Sequence, residues 1–265
     1  MLRELMARFN QGYRTAAYPN TPATVPDRLA ARPNINRVPC PEGCSRCTEV
    51  CPTTAIERRA GDIALDLGRC LFCVECQKAC PVGAIEFTND YRLAVTKRED
   101  LLLDGKGLQL ANALEQKTRS VLGRALRLRQ VSAGGCNACE ADTNVLNTLV
   151  FDLGRFGIQF VASPRHADGV LITGPIPENM RLGLLKTWES IPSPRIVIAV
   201  GACAISGGPY IGHPEVHNGS QNMLPVDLYI PGCPPHPYTI LDGLLRLIGK
   251  IEKDRDGTLS VQRAV

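Results

Sequence analysis

Apolar runs alternate with amphipathic segments in the second half of the chain, from about residue 127 onward. Each apolar run has about the length of a buried strand, and the intervening segments carry apolar residues three and four apart, as a helix does. Strands that alternate with helices favour a mostly parallel sheet covered on its faces. The predicted strands are 127–132, 157–162, 169–173, 195–200 and 226–230, and the predicted helices are 140–153, 178–188 and 238–249.

The first half of the chain begins with a short apolar stripe and continues with polar, cysteine-rich sequence. Leu2, Leu5, Met6 and Phe9 recur at helical spacing and predict a short helix whose apolar face docks on another subunit, since two turns alone bind lipid weakly, with a membrane surface as the alternative. Residues 15–39 are rich in Pro, Asn, Thr and Arg, which is typical of an extended strap. The predicted organisation is an N-terminal helix and strap at 1–38, a cysteine-rich domain at 39–103, a linker ending in a helix at 104–126, an α/β domain at 127–250 and a tail at 251–265.

Cysteine is the residue whose count changes this picture, since twelve are present among 265 residues. A hydrophobic fraction of 44% and a charged fraction of 21% are ordinary for a folded protein and exclude disordered, collagen-like and coiled-coil classes. No stretch reaches the ~18 apolar residues of a membrane helix. The N-terminus lacks the apolar core of a secretory signal, so we expect the cysteines in a reducing cytoplasm; its arginines leave an organelle transit peptide as the alternative.

Eight cysteines form an internal repeat of two groups, each closed by Cys-Pro. Cys51-Pro-Thr-Thr-Ala-Ile-Glu is echoed 29 residues later by Cys80-Pro-Val-Gly-Ala-Ile-Glu, which predicts two similar halves about a pseudo-twofold axis. The second group has the C-x2-C-x2-C-x3-C-P spacing of bacterial two-cluster ferredoxins, and the first has one extra residue in its first gap. In that arrangement the fourth cysteine of each motif ligates the other cluster. The predicted ligands are Cys40, Cys44, Cys47 and Cys80 at site 1, and Cys51, Cys70, Cys73 and Cys76 at site 2.

Four further cysteines are dispersed through the α/β domain, in glycine-containing loops just beyond predicted strands. Because the carboxyl ends of parallel strands meet at one edge of the sheet, these loops are predicted to supply a third set of four thiolates there. Structural zinc is the alternative for the first eight cysteines, and buried free thiols are the alternative for the last four. The third set, site 3, is Cys136, Cys139, Cys203 and Cys233.

The formal net charge of +4 at first suggests a nucleic-acid partner. However, it counts the cysteines as neutral thiols. Three oxidised 4Fe-4S clusters with their thiolates, each carrying about −2, would bring the total to about −2. We therefore expect no nucleic-acid binding.

The chain also resembles known proteins along most of its length. Residues 1 to about 103, including TNDYRLAVTKRED, resemble the two-cluster ferredoxin subunit of formate hydrogenlyase and the related subunit of respiratory complex I. Residues from about 127 to 250 resemble the small subunit of energy-converting nickel-iron hydrogenases, a homologue of the complex I subunit that carries its terminal cluster. The matching segments are GGCNACEAD, DLGRFGIQFVASPRHAD, VLITGP, GACAISGG and PVDLYIPGCPP. The predicted fold is an α+β bacterial two-cluster ferredoxin domain followed by an α/β flavodoxin-like domain.

This resemblance implies an electron-transfer subunit with three 4Fe-4S clusters, of which site 3 lies nearest the active site of a partner. The implied partners are a hydrogenase or complex I-like large subunit, an electron-donor iron-sulfur subunit or ferredoxin, and integral membrane subunits. They would hold the chain at the cytoplasmic face of the cell membrane. The Cys136-x-x-Cys139 spacing favours the hydrogenase branch, because complex I has adjacent cysteines there. The alternatives are a complex I-like quinone oxidoreductase without nickel and, more remotely, a zinc-stabilised scaffold.

A few other residues have chemistry to consider. For Glu140, the resemblance suggests a proton-relay or cluster-tuning role, and the alternative is a carboxylate that stabilises a helix N-terminus. His213 and His217 have the spacing of a helical metal site, but the flanking glycines and proline favour a loop without metal. His166 and His236 are interpreted as hydrogen-bond partners that order loops, and His236 also as a residue able to tune the potential of site 3.

Overall fold

The computed structural model describes residues 2–12, 14–36, 38, 40–59, 62–105, 107–114 and 125–251. The helix predicted at the end of the linker and nearly all of the C-terminal tail fall outside these residues. Within them, the chain forms an N-terminal cysteine-rich domain and a C-terminal α/β domain. None of the helices in these ranges has the length and apolar character needed to cross a membrane.

In the described part of the N-terminal domain, the N-terminal helix is followed by two small antiparallel sheets and two short helices. One sheet pairs β1 with β4, and the other has the order β2-β3-β5. Each Cys-Pro turn is followed by a strand, β2 or β4, as the repeat predicts. Strand β1 lies within the segment predicted as a strap, and its pairing makes that segment part of this domain. The elements are α1 (Leu2–Gln11), β1 (Pro33–Ile35), α2 (Arg46–Glu49), β2 (Ile56–Arg59), β3 (Asp62–Asp66), α3 (Glu75–Ala79), β4 (Ile85–Phe87) and β5 (Leu102–Leu103).

Five parallel strands form the sheet of the C-terminal domain, in the order β10-β9-β8-β6-β7. Every residue of β8 and β9 is buried, which explains why these strands are continuous apolar runs rather than alternating ones. The prediction of a parallel sheet is confirmed, and each predicted strand lies within two residues of an observed one at both ends. The strands are β6 (Leu126–Ser132), β7 (Ile158–Phe160), β8 (Gly169–Thr173), β9 (Ile196–Val200) and β10 (Leu228–Ile230).

The helix predicted at 140–153 is wrong at its end, because the observed helix α4 (Ala138–Val145) is much shorter. The next amide groups bond three residues back, as in the Thr148 N–H to Val145 carbonyl bond of 2.9 Å, so the chain tightens into turns. Asn and Thr residues in this segment favour such local bonding over helix. The Leu153 amide then bonds to the Leu146 carbonyl, and both leucines are fully buried.

Three further helices cover the sheet. Two of them agree with the predictions to within two residues at each end. The third is short, follows β9 directly and was not predicted from the sequence, although it carries a site 3 cysteine. These helices are α5 (Glu178–Glu189), α6 (Gly201–Ser206) and α7 (Pro237–Leu247).

The two domains are joined by segments that cross between them. The segment after β4 forms an antiparallel bridge to the sheet edge, with the Val95 and Tyr229 amides bonded to each other's carbonyls at 3.0 and 2.8 Å. The strap crosses to the C-terminal domain, where its Tyr18 is only 2% exposed. The Tyr18 hydroxyl donates to Asp242 of α7 at 2.7 Å, and Asp242 also accepts from Arg246 at 2.7 Å. Burial first, and then the Asp242 charge, raise the pKa of Tyr18.

Replacing Tyr18 with phenylalanine is expected to lower the free energy of unfolding by about 1–3 kcal/mol. Asp242 is fully buried and would lose one of its two hydrogen-bond donors. Because water cannot reach the carboxylate, nothing would replace the Tyr18 hydroxyl. The measurement is chemical denaturation of the anaerobically purified protein, with Tyr210→Phe as the control because Tyr210 is 48% exposed. Equal stability of the two variants would show that the strap is not held by this hydrogen bond.

Candidate functional site

Site 2 is built by the loop that leads into α3. Phe72 and Val74 have positive φ angles of 54° and 59°, which curl the backbone so that the Phe72 amide donates to Cys70 Sγ at 3.3 Å. Burial raises the pKa of Cys70 to about 12 against the lowering effect of that amide, and the nearby thiols of Cys76, Cys51 and Cys73 add to the rise. Cys51 belongs to the first cysteine motif. The structure therefore groups it with three cysteines of the second motif, as the crossover predicts.

Site 1 shows the reciprocal grouping. Burial raises the pKa of Cys47, and the largest charge contributions come from Cys80 and then Cys40. Cys80 belongs to the second motif and lies beside cysteines of the first. Cys44 is in the loop with the extra residue, and its carbonyl accepts a hydrogen bond from Arg58 of β2.

The two Cys-Pro turns are equivalent in geometry as well as in sequence. Three residues after each of these cysteines, Thr54 and Gly83 have φ angles of 49° and 65°. The next amides, those of Ala55 and Ala84, then donate to Cys51 Sγ and Cys80 Sγ, both at 3.2 Å. At Cys80, burial acts to raise the pKa, but the backbone N–H groups of residues 82–85 outweigh it and leave the pKa lowered. Such amides stabilise a thiolate, the form that binds metal.

Site 3 lies at the carboxyl edge of the parallel sheet. Cys139 is on the first turn of α4 and Cys203 is on α6, while the other two cysteines are in loops. Burial raises the pKa of Cys203 to about 12, with added contributions from Cys233 and Cys136. Burial also makes the largest contribution to the raised pKa of Cys139. Smaller contributions come from the charges of Cys203, Glu140, Cys233 and Cys136. All four predicted cysteines are therefore neighbours.

Two glycines leave room for the thiols of site 3. A methyl carbon placed on Gly201 would lie 2.5 Å from Cys139 Sγ, and one placed on Gly208 would lie 2.8 Å from Cys203 Sγ. Both glycines have positive φ angles, 88° and 54°, that other residues rarely adopt. A larger side chain at either position would displace a cysteine.

The three thiol groups fit iron-sulfur clusters. Within the ranges the structure describes, no three Cys, His, Asp or Glu side chains are close enough to bind a single metal ion. Thiolates are the ligands of 4Fe-4S clusters, and each group brings several cysteine thiols together. Cys73, Cys136 and Cys233 are exposed, so sites 2 and 3 open toward the surface.

Neighbouring cysteines also connect the sites to one another. Cys47 of site 1 contributes to the raised pKa of Cys76 of site 2, which burial brings to about 11. At Cys233 of site 3, the pKa is raised by desolvation, then by Cys136, and then by Cys73 of site 2. Site 2 therefore has a cysteine neighbour in each of the other two sites.

Glu140 is buried below site 3, on the first turn of α4. Its Oε1 atom accepts hydrogen bonds from Ser132 Oγ at 2.7 Å and Thr173 Oγ1 at 2.6 Å. These two hydroxyl residues, at the ends of β6 and β8, were not identified from the sequence. The sequence did contain a signal for them, because each hydroxyl lies at the end of a predicted strand, on the same sheet edge as the cysteines.

The histidines form local hydrogen bonds. His236 Nδ1 accepts from the Tyr238 amide at 3.2 Å at the start of α7, and burial lowers the pKa of His236. His213 and His217 lie in a loop, where His213 Nδ1 accepts from the Glu215 amide and His217 contacts Glu178. His166 lies in a short helical turn after β7.

Comparisons with known proteins agree with both halves of this arrangement. Residues 136–247 match the family model described as NADH ubiquinone oxidoreductase, 20 Kd subunit, and residues 39–84 match the 4Fe-4S dicluster domain. A Pyrococcus furiosus protein named "probable membrane-bound hydrogenase subunit mbhJ" is 37% identical over 132 residues, which are 50% of this chain and 79% of that protein. This chain belongs to the complex I 20 kDa subunit family.

Other relatives of this 20 kDa-family chain come from different complexes. Formate hydrogenlyase subunit 7 of Escherichia coli is 38% identical over 157 residues, which are 57% of this chain and 62% of that protein, less than two thirds of its length. An NADH-quinone oxidoreductase subunit of Carboxydothermus hydrogenoformans is 41% identical over 46% of this chain and 74% of that protein. Among solved structures, a chain of the archaeal membrane-bound sulfane sulfur reductase has a TM-score of 0.45 and 32% identity, covering 51% of this chain and 75% of that one.

Proposed function

We propose that this 20 kDa-family chain is an electron-transfer subunit that holds three 4Fe-4S clusters. It would pass electrons from a donor iron-sulfur subunit or ferredoxin to the large subunit of a membrane-associated nickel-iron hydrogenase of the formate hydrogenlyase type. The observation that supports the proposal is the clustering of eleven of the twelve cysteines in three groups, linked by the Cys47–Cys76 and Cys73–Cys233 neighbours. A row of one-electron centres conducts electrons, and the chain alone would catalyse no reaction.

The residues of this chain would hold, space and tune the clusters, which supply one-electron chemistry when bound. Amides of Ala55, Phe72 and Ala84 donate to ligand sulfurs, and such hydrogen bonds help to set the reduction potential. The buried thiols of Cys47, Cys70 and Cys76 would exclude water from one side of sites 1 and 2. We propose Cys40, Cys44, Cys47 and Cys80 as the ligands of site 1, Cys51, Cys70, Cys73 and Cys76 of site 2, and Cys136, Cys139, Cys203 and Cys233 of site 3.

We propose that Glu140 tunes the cluster of site 3. Its carboxylate is a charge neighbour of Cys139 and Cys203, and two hydroxyls fix its Oε1 atom. A proton relay through Glu140 is the second role considered. In such a relay, the buried Thr173 hydroxyl would be the first group on the path of the proton.

We also infer a flavodoxin-like arrangement of the C-terminal domain. Numbered within this domain, the sheet has the order 2-1-3-4-5, with every neighbouring pair parallel. That order places the switch point between β6 and β8, where flavodoxin-like proteins bind their cofactors. Cys136 and Cys139 follow β6, and this supports site 3 as the cofactor site of the domain.

The surface of the chain supports partner subunits. Helix α1 has no buried residue, and its apolar stripe is 60 to 89% exposed at Leu2, Leu5, Met6 and Phe9. We propose that this stripe docks on a membrane subunit, which would hold the chain peripherally at the cytoplasmic face. Nucleic acid is not proposed as a partner, because bound clusters would offset the positive charge.

The cluster number is tested by chemical analysis of the chain purified without oxygen. We expect a brown protein with about twelve iron and about twelve sulfide per chain, four of each from every cluster. A colourless protein containing zinc and no sulfide would support the scaffold alternative instead. About eight iron together with zinc would remove one of the three proposed clusters.

A further inference from the structure

A buried hydrogen bond joins the loop of site 2 to the helix of site 3. Ser206 Oγ, on the last turn of α6, donates to the Gly68 carbonyl at 2.8 Å, and Ser206 is only 5% exposed. Gly68 lies two residues before Cys70, and Ser206 lies three residues after Cys203. The bond therefore links two proposed cluster ligands from different domains through a few covalent bonds on each side.

Gly68 is held in place from the other side as well. A methyl carbon placed on it would lie 2.8 Å from the Arg98 guanidinium carbon and 2.8 Å from a methyl group of Ile205, the residue before Ser206. The Gly68 amide donates to Asp66 Oδ1 at 2.8 Å. Two nitrogens of Arg98 bind the two oxygens of the same carboxylate, at 2.8 and 2.6 Å. This two-armed geometry is stiffer than a single contact.

The Asp66 backbone also holds Cys70, a proposed ligand of site 2, in place. Its carbonyl accepts from the Cys70 amide at 3.0 Å. The path from Ser206 through Gly68 and Asp66 to Cys70 thus consists of hydrogen bonds and short stretches of chain, with no long side chain in it. Such a path transmits the position of α6 to the site 2 loop.

We propose that the Ser206–Gly68 hydrogen bond, supported by the Arg98–Asp66 ion pair, is a positioning contact that fixes the distance between the clusters of sites 2 and 3. The inference rests on the proposed function, since it requires clusters at both sites. Electron transfer between two centres slows steeply as their separation grows. A contact that prevents the two domains from moving apart at this point therefore sets the rate of the step into site 3.

The test compares Ser206→Ala with a closely matched control, Ser190→Ala. The single Ser206 hydroxyl proton is shared between the Gly68 carbonyl and the carbonyl four residues earlier, that of Ala202 at 3.1 Å, and Ser190 donates in the same way to the Lys186 carbonyl at 2.8 Å on the exposed end of α5. The full chain is purified anaerobically, its iron is counted, and both clusters are reduced. Pulsed EPR then measures the magnetic interaction between the signals of sites 2 and 3.

In Ser206→Ala we expect a weaker and more broadly distributed interaction, with the iron count and the g values of each cluster unchanged. Hydrogen exchange at the Gly68 to Cys70 amides should quicken about fivefold. Ser206→Thr, which keeps the hydroxyl, should restore the interaction, and Ser190→Ala should not alter it. If Ser206→Ala loses iron, Arg98→Lys is used instead, because it keeps the charge and removes the two-armed contact.

The outcomes separate the two proposals. A wild-type chain that lacks either cluster would overturn the proposed function, and the positioning contact with it. A wild-type chain with both clusters, together with a fully loaded variant whose interaction and exchange match those of Ser190→Ala, would overturn the positioning contact alone.

Discussion

A Cys80→Ser chain is expected to lose the cluster of site 1 and to keep the cluster of site 2. Cys80 follows the second cysteine motif in sequence, yet it contributes the largest charge effect on Cys47 of the first motif. Backbone amides lower its pKa, which favours the thiolate form that binds iron. A serine oxygen is a poorer ligand for iron than a thiolate. About four of twelve iron atoms should therefore be lost.

The measurement is EPR of the reduced full chain together with iron analysis. The matched control is Cys51→Ser, because Cys51 occupies the equivalent Cys-Pro turn, with the same 3.2 Å amide contact to sulfur. It should give the opposite result, with the site 2 signal lost and the site 1 signal retained. If Cys80→Ser instead removes the signal of the cluster held by Cys70, Cys73 and Cys76, each motif closes on itself and the crossover is wrong.

A Cys233→Ala chain is expected to stop electron delivery at the last step. Cys233 belongs to site 3 and has Cys73 of site 2 as a charge neighbour, so it lies at the junction between the two clusters. Without its thiolate, the third cluster has three protein ligands and an open position. In the assembled complex, hydrogen evolution from a low-potential donor should fall to background, while sites 1 and 2 are still reduced.

The experiment needs the wild-type complex with its large subunit, assayed for nickel, for hydrogen evolution and for quinone reduction. Cys136-x-x-Cys139 favours the hydrogenase branch, and relatives from hydrogenases and from NADH-quinone oxidoreductases are both found. A wild-type complex without nickel that is inert toward hydrogen but reduces quinone would reject the hydrogenase proposal. Hydrogen evolution retained in Cys233→Ala, with unchanged iron content, would show that this thiol is no ligand.

The strands of the parallel sheet were predictable because the signal for each strand lies within a few consecutive residues. Strands such as β8 and β9 are buried on both faces, so each is an uninterrupted apolar run that stands out from its neighbours. The cysteine groups were predictable for a similar reason, since their spacing along the chain is itself the geometric signal. The crossover of Cys51 and Cys80 stays a prediction, taken from the two-cluster ferredoxin spacing.

Features set by contacts between distant residues were not predictable. Helix α6 is too short for periodicity to reveal it, and it is held between the Gly201 turn and the Gly68 carbonyl, 138 residues from Ser206. Helix α4 ends early because the chain folds back to bring Leu153 against Leu146. The hydroxyls that hold Glu140 come from two strands. The partners of Ser206 and Thr173 lie 138 and 33 residues away, where a local pattern carries no information, and the Leu146–Leu153 hydrogen bond spans seven residues, not the four of a helix.

The hydrogen bond between Tyr18 and Asp242 affects the order in which contacts form while the protein is synthesised. The strap leaves the ribosome first, but its buried partner Asp242 is 224 residues further along the chain. During synthesis Tyr18 therefore has no hydrogen-bond partner here until α7 has emerged, although β1 of the same strap can already pair with β4 and the cysteine loops of the N-terminal domain are complete. The contact between the strap and α7 is therefore formed late, after all eight N-terminal cysteines have left the ribosome.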